Sequence, residues 1–239
     1  MTALLASSLT SGIISTASYP DATGQGVRVA VIDSGLHSGH PHVGVVVGGV
    51  SFDADGARGV DAVDRLGHGT AVAAVIREKA PEAALLPVKV FDRELRATAD
   101  ALVAAIDWAV DARVHIINLS LGTANPAHQL RLGQALVRAA RAGVALVAAA
   151  EQDDMRWLPG SLPLAVGVTL DWDRPREQAL VCVTQEGAVR RIRVGASGYP
   201  RPIPGVSPER RSSSLFRRPK PWRVGSSGGS QHPYPKPNH

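Results

Sequence analysis

Two side chains suited to acid–base chemistry stand at places where α/β folds build their sites. Asp33 closes an apolar run over residues 27–32, interrupted only by Arg28, which predicts a buried strand that ends in a tight turn. His68 lies between two glycines, directly before a helical pattern over residues 70–78. Carboxylates and imidazoles serve as general acids and bases, and flanking glycines let the backbone turn tightly beside a ligand. Taken singly, each residue is also compatible with an ordinary turn or helix start.

Patterns of strand and helix alternate along the chain around these residues. They predict an α/β fold with a mainly parallel sheet and helices on both faces. A hairpin is predicted over residues 180–194, with its turn near residues 186–187. The other predicted elements are strands at 43–52, 85–91, 114–119, 144–150 and 164–168, and helices at 98–110 and 127–142.

Four segments in this order resemble the motifs of the subtilase family, the subtilisin-like serine proteases. V-A-V-I-D-S-G, which contains Asp33, resembles the aspartate motif, and L-G-H-G-T-A-V-A, which contains His68, resembles the histidine motif. L-L-P-V-K-V-F at residues 85–91 resembles the strand after the histidine helix. Residues 106–122 resemble the helix and strand that lead to the substrate-binding edge. The resemblance extends over about residues 26–208.

The resemblance implies a serine-type endopeptidase that acts on peptide or protein substrates in an extended conformation, without a cofactor. Asp33 would orient His68, and His68 would act as general base toward a serine hydroxyl. Ser120, Leu121 and Gly122 would form an exposed strand edge that pairs with the substrate backbone. A plain strand end is the alternative interpretation of that segment.

The position of the oxyanion donor departs from the family pattern. Where family members usually carry Gly-Asn, this chain has Glu151 and Gln152. Gln152 also offers an amide donor, and we take it as the oxyanion candidate, although its side chain is one methylene longer. Loss of such a donor costs about 10²–10³ in rate. Ordinary loop residues are the alternative interpretation.

No serine fits the family motif in which the nucleophile opens a central helix. Ser197 is followed by Pro200, Pro202 and Pro204, so no regular helix continues from it, and Ser207 is followed directly by Pro208. Ser226, Ser227 and Ser230 lie among glycines with no apolar helix after them. The sequence therefore predicts a chain with the Asp and His of the triad but without an identifiable nucleophile.

The change of composition near residue 210 suggests a shifted reading frame or a natural truncation, so that the C-terminal part of the fold is missing. We expect a leader segment at 1–23, an incomplete peptidase domain at 24–208 and a disordered basic tail at 209–239. This chain should then have little or no hydrolytic activity. The alternative function is a non-catalytic, peptide-binding pseudoprotease.

The net charge of +5 comes from the tail, because residues 210–239 hold seven Lys and Arg and no acid. Nucleic-acid binding would depend on that tail alone, and we expect neither a nucleic-acid nor a membrane partner. The single cysteine, Cys182, and the lack of a clear signal peptide or prodomain favour a cytoplasmic protein.

Two other kinds of site are not expected. His37, His40 and His42 form a cluster that lacks further metal ligands, so we predict no metal there. By comparison with the family, the segment between His68 and residue 85 is too short for the calcium loop of secreted relatives. A dinucleotide site at residues 67–72 is disfavoured because the third glycine of the motif is replaced by valine.

Overall fold

In the computed structural model, eleven strands form a single sheet within the described residues, which are 8–91, 94, 96–152, 155–186 and 189–199. Three α-helices pack against it. The helices are α1 (His68–Lys79), α2 (Ala99–Asp111) and α3 (Gln129–Arg141). The strands are β1 (Ser8–Ser15), β2 (Arg28–Asp33), β3 (Val50–Phe52), β4 (Arg58–Gly59), β5 (Ala84–Lys89), β6 (Ile116–Leu119), β7 (Ala145–Gln152), β8 (Met155–Arg156), β9 (Ala165–Leu170), β10 (Gln178–Glu186) and β11 (Val189–Ala196).

The sheet runs in the order β1-β10-β11-β9-β7-β6-β2-β5-β3-β4, and β8 pairs with β7. Every pair from β11 to β3 is parallel, whereas β1, β10 and β4 add antiparallel strands at the two ends. The predicted mainly parallel sheet is therefore confirmed. β2 lies between β6 and β5, so its carboxyl end lies near the middle of the row of strand ends.

Alternate side chains of β2 enter two separate cores. Ala30 and Ile32 pack into the larger cluster, which contains the buried faces of α2 and α3. Val29 and Val31 pack into a smaller cluster that includes α1. A strand buried on both faces reads as a continuous apolar run, which explains the pattern in the sequence. Helices cover both faces of the sheet, as predicted.

The strand predicted at residues 43–52 is shorter in the structure. Only Val50–Phe52 forms β3, and Val46 makes an isolated bridge to β5. Gly44 and Gly48 adopt left-handed backbone angles, with φ of 67° and 68°. Those angles are incompatible with an extended strand, so the chain turns twice before pairing begins.

The ends of the helices follow local signals in the sequence. The Thr98 hydroxyl accepts the Ala101 N–H at 3.1 Å and so caps the start of α2. Gly143 has φ of 74°, a left-handed conformation that terminates α3. The predicted start of α3 at residue 127 is wrong by two residues, because a 3-10 turn at Pro126–His128 precedes the α-helix.

Residues 8–15 of the N-terminal segment form β1, which pairs along its whole length with β10 at one end of the sheet. The predicted hairpin is confirmed as β10 and β11, which pair antiparallel. The tail predicted at 209–239 lies outside the described residues.

A core substitution in α2 tests the assignment of the buried helix face. Leu102 is fully buried, whereas Leu130 on α3 is 72% exposed. We expect Leu102→Ala to lower the free energy of unfolding by about 2–5 kcal/mol and Leu130→Ala to change it by less than about 0.5 kcal/mol. Urea unfolding of the two variants checks this, and equal effects would contradict the assignment.

Candidate active site

Asp33 is the last residue of β2, and its side chain is fully buried. Its Oδ1 accepts the backbone N–H of Ser34 at 2.7 Å. The same oxygen lies 2.7 Å from Nδ1 of His68. Because an ionised carboxylate only accepts hydrogen bonds, the Nδ1 atom carries the proton in this contact. The structure thus brings together the two residues selected from the sequence.

His68 is the first residue of α1, and its side chain is 17% exposed. The residue before it, Gly67, has φ of 82° and turns the chain sharply into the helix. A Cβ at position 69 would collide with the carbonyl oxygen of Gly35 and lie 3.1 Å from the Cβ of Asp33. Gly69 therefore lets the start of α1 approach the Asp33 turn closely enough for the ring to reach the carboxylate.

The pKa of His68 is raised above its ordinary value. Burial of the ring is the largest single influence, and it lowers the pKa by disfavouring the charged form. The hydrogen bond to Asp33, the charge of Asp33 and the charge of Asp64 together outweigh that effect. An imidazole with a raised pKa holds a proton more readily, which suits a group that must take one during a reaction.

Asp64 is a buried site residue that the sequence reasoning did not select. Its Oδ1 accepts the Ser34 hydroxyl at 2.8 Å and the N–H groups of Leu66 and Gly67 at 2.9 and 2.8 Å. Its Oδ2 accepts the N–H and the hydroxyl of Thr70 at 2.8 and 2.6 Å. The available signal was an aspartate shortly before a helix whose N-cap is glycine, where backbone donors need an external acceptor.

The pKa of Asp64 is lowered despite its burial. Burial acts in the opposite direction and is the largest single influence, since it disfavours the carboxylate. The hydrogen bonds from Thr70, Ser34 and Gly67 outweigh it. The site therefore contains a second buried negative charge close to the imidazole.

The proposed substrate edge at residues 120–122 follows directly after β6. Ser120 is half-buried and its Oγ accepts the side-chain amide of Asn118 at 2.8 Å. Leu121 is 2% exposed and belongs to the larger core. A Cβ on Gly122 would lie 3.0 Å from the carbonyl oxygen of Leu158, so this glycine packs tightly against the loop after β8. The predicted exposure of this edge is therefore wrong, because Leu121 and Gly122 are both buried against neighbouring parts of the fold. Its role in binding stays a prediction.

The oxyanion candidate is the last residue of β7. Gln152 pairs with Met155 in the short hairpin between β7 and β8, and only its backbone is described. Asp153 and Asp154, which follow it, lie outside the described residues. Glu151 is exposed. The assignment of Gln152 as a donor therefore stays a prediction.

Of the serines considered as nucleophile, only Ser197 falls within the described part of the chain. It follows β11 outside any helix, and its Oγ accepts the N–H of Tyr199 at 3.4 Å. Ser207, Ser226, Ser227 and Ser230 lie outside the described residues.

His40 and His42 make an edge-to-face ring contact with centroids 5.3 Å apart. No group of three or more His, Cys, Asp or Glu side chains suited to a metal ion occurs in the part of the chain that the structure describes. In the same part, no helix is both long and apolar enough to span a bilayer.

The raised pKa of His68 predicts a pH-dependent contribution to stability. The folded protein binds the His68 proton more tightly than the unfolded chain does, so this contribution is complete below about pH 6.5 and is lost as the pH rises through the folded pKa. We expect the difference in unfolding free energy between the native chain and His68→Gln to shrink as the pH rises above about 6.5. Urea titrations at several pH values measure it, and a difference that grows with pH would contradict the assignment.

The profile of the subtilase family matches residues 24–168 of this chain. A thermostable alkaline protease of Halalkalibacterium halodurans is 39% identical over 136 residues, which cover 53% of this chain and 36% of the relative. The major intracellular serine protease of Bacillus subtilis is 36% identical over 139 residues, which cover 53% of this chain and 43% of the relative. The matched region thus spans less than half the length of either relative.

Solved structures of proteases have a similar fold. The crystal structure of a lanthipeptide protease superimposes with a TM-score of 0.56 and 24% identity, covering 66% of this chain and 52% of the other. A cold adapted subtilisin-like serine proteinase superimposes with a TM-score of 0.52 and 25% identity, covering 63% and 57%. Since the family profile covers more than half of the sequence and includes both Asp33 and His68, the chain belongs to the subtilase family.

Proposed function

We propose that this chain carries the acid–base half of a subtilisin-like serine endopeptidase and, as it stands, lacks a working nucleophile. The observation that supports the first part is the contact of 2.7 Å between Nδ1 of His68 and Oδ1 of buried Asp33. Family membership supports the choice of a serine protease over other uses of an Asp–His pair.

In the proposed reaction, Asp33 fixes the tautomer and the orientation of the imidazole. With Nδ1 donating to the carboxylate, Nε2 is the nitrogen that takes the proton of a serine hydroxyl as the hydroxyl attacks a peptide carbonyl. The resulting imidazolium is stabilised by Asp33 and then donates the proton to the leaving amine. The raised pKa of His68 agrees with an imidazole that accepts the serine proton in this reaction.

The substrate is proposed to be a peptide or protein segment in an extended conformation. Residues 120–122 would pair with its backbone, and the position of this segment directly after a central strand supports the idea. Gln152 would donate to the developing oxyanion from the end of β7, the strand next to β6 in the sheet.

The second part of the proposal, the missing nucleophile, is supported by the starts of the helices. In the described part of the chain, none of the three α-helices has a serine as its N-cap residue or as its first residue. The N-cap residues of α1, α2 and α3 are Gly67, Thr98 and His128. Loss of the serine from such a triad lowers kcat by about 10⁶ in a subtilisin, which leaves little activity.

The protein is proposed to act in the cytoplasm. One relative is by its name an intracellular serine protease, and the sequence contains a single cysteine. Proteins that fold in an oxidising compartment often rely on disulfides, which one cysteine cannot form within a chain.

A fluorophosphonate probe tests the absence of an activated serine. We expect the full chain to remain unlabelled and to hydrolyse casein no faster than a buffer blank, while an active subtilisin treated in parallel is labelled. Labelling of the native chain that is lost in His68→Ala would show that a serine is activated after all, and would overturn the second part of the proposal.

Binding of the same substrate separates the two functions left open by the sequence. An extended peptide that binds without cleavage, measured by calorimetry, would favour a peptide-binding pseudoprotease. Absence of binding would argue against residues 120–122 as a substrate edge.

A further inference from the structure

The Ser34 hydroxyl connects the two buried carboxylates of the site. Its oxygen lies 2.8 Å from Oδ1 of Asp64 and 3.2 Å from Oδ1 of Asp33, and it accepts the N–H of Gly69 at 2.9 Å. A hydroxyl has one proton to donate, so it can serve only one of the two carboxylates at a time. The shorter distance assigns that proton to Asp64.

This assignment matters for the contact between Asp33 and His68. Oδ1 of Asp33 already accepts the Ser34 N–H and the imidazole N–H, each at 2.7 Å. A carboxylate oxygen has about two favourable acceptor directions, so a further donor must share one of them, as happens on Oδ1 of Asp64. A third donor on that atom, the Ser34 hydroxyl, would compete with the ring of His68 for the same lone pairs.

Asp64 also holds the backbone that carries His68. It accepts the N–H of Gly67, just before the histidine, and both the N–H and the hydroxyl of Thr70, two residues after it. Because these donors lie on either side of His68 in the first turn of α1, a shift of Asp64 would move the base of the imidazole side chain. Only 9% of Asp64 is exposed, so its hydrogen bonds have little competition from water.

We propose that Asp64 is a positioning residue that binds the Ser34 hydroxyl and the first turn of α1, and so keeps His68 aligned on Asp33. The proposal deepens the proposed function, on which it rests for the importance of the Asp33–His68 contact. The direction of the His68 pKa shift agrees with the proposal. Burial, the largest influence, lowers this pKa, whereas the hydrogen bond and charge of Asp33 and the charge of Asp64 raise it.

The titration of His68, followed by NMR in the full chain, tests the proposal without requiring any catalysis. The resonance is assigned by its loss in His68→Gln. We expect Asp64→Asn to move the titration midpoint of His68 to lower pH, in the same direction as Asp33→Asn but by less. The shift has two causes: the negative charge is lost, and the amide of asparagine cannot accept all the donors that the carboxylate does.

Asp61→Asn is the matched control. Asp61 lies three residues earlier in the same loop, its side chain is 48% exposed, and it pairs with Arg65 at 2.6 Å. The substitution removes the same charge without touching Ser34 or the helix, so we expect the His68 midpoint to stay where it is. The proposal is overturned if folded Asp64→Asn leaves the midpoint unchanged, or if Asp61→Asn moves it as far.

Ser34→Ala separates the hydroxyl link from the charge of Asp64. In this variant Gly69 loses its acceptor while Asp64 stays ionised, so we expect a small shift of the His68 midpoint to lower pH. Added to Ser34→Ala, Asp64→Asn should shift the midpoint less than it does alone, because no hydroxyl remains that could turn to Asp33.

An equal shift in both backgrounds would overturn the hydroxyl link. If Asp64→Asn does not fold, Ser34→Ala alone decides the matter, and an unchanged midpoint in the folded variant counts against the proposal. Failure of the proposed function leaves these titrations unaffected, since they report on the Asp33–His68 contact whether or not a serine nucleophile exists.

Discussion

The buried carboxylate of Asp33 constrains the arrangement of the rest of this site. A charge taken out of water is costly unless donors or a counter-charge compensate it. Here Oδ1 receives the Ser34 N–H and the His68 ring, whereas Oδ2 is buried without a hydrogen-bond partner in the described part of the chain. The imidazole is therefore the group best placed to balance this charge, and the start of α1 must stay close to the end of β2.

Packing on both faces of the sheet keeps the start of α1 close to the end of β2. β2 is held between two parallel neighbours, and its apolar side chains fill a core on each face, so its carboxyl end has little freedom to move. α1 packs on one face through the smaller core, and Gly69 permits the close approach of its first turn. Asp64 and Ser34 then join the helix start to the strand end by hydrogen bonds. Rigid elements thus hold the acid–base pair without help from a substrate.

Much of this arrangement was predictable because it depends on local sequence. The apolar run before Asp33 and the glycines around His68 identify the strand end and the helix start within a few residues. The three- and four-residue spacing of α2, its Thr98 cap and the Gly143 at the end of α3 likewise act over one or two turns of helix. The alternation of these elements was enough to give a parallel sheet with helices on both faces.

What only the tertiary structure decided involves partners far apart in the chain. Asp64 meets Ser34 across 30 residues, and β1 (Ser8–Ser15) pairs with the distant β10 (Gln178–Glu186), although neither pairing leaves a periodic pattern. The burial of Leu121 and the packing of Gly122 against the loop after β8 likewise depend on neighbours in space. The sequence by itself determined which residues could do the chemistry, because residue type and local periodicity depend only on the order of the residues. Their alignment was decided by long-range packing and by the competition of donors for buried carboxylates, because those free energies depend on distances that exist only in the folded state.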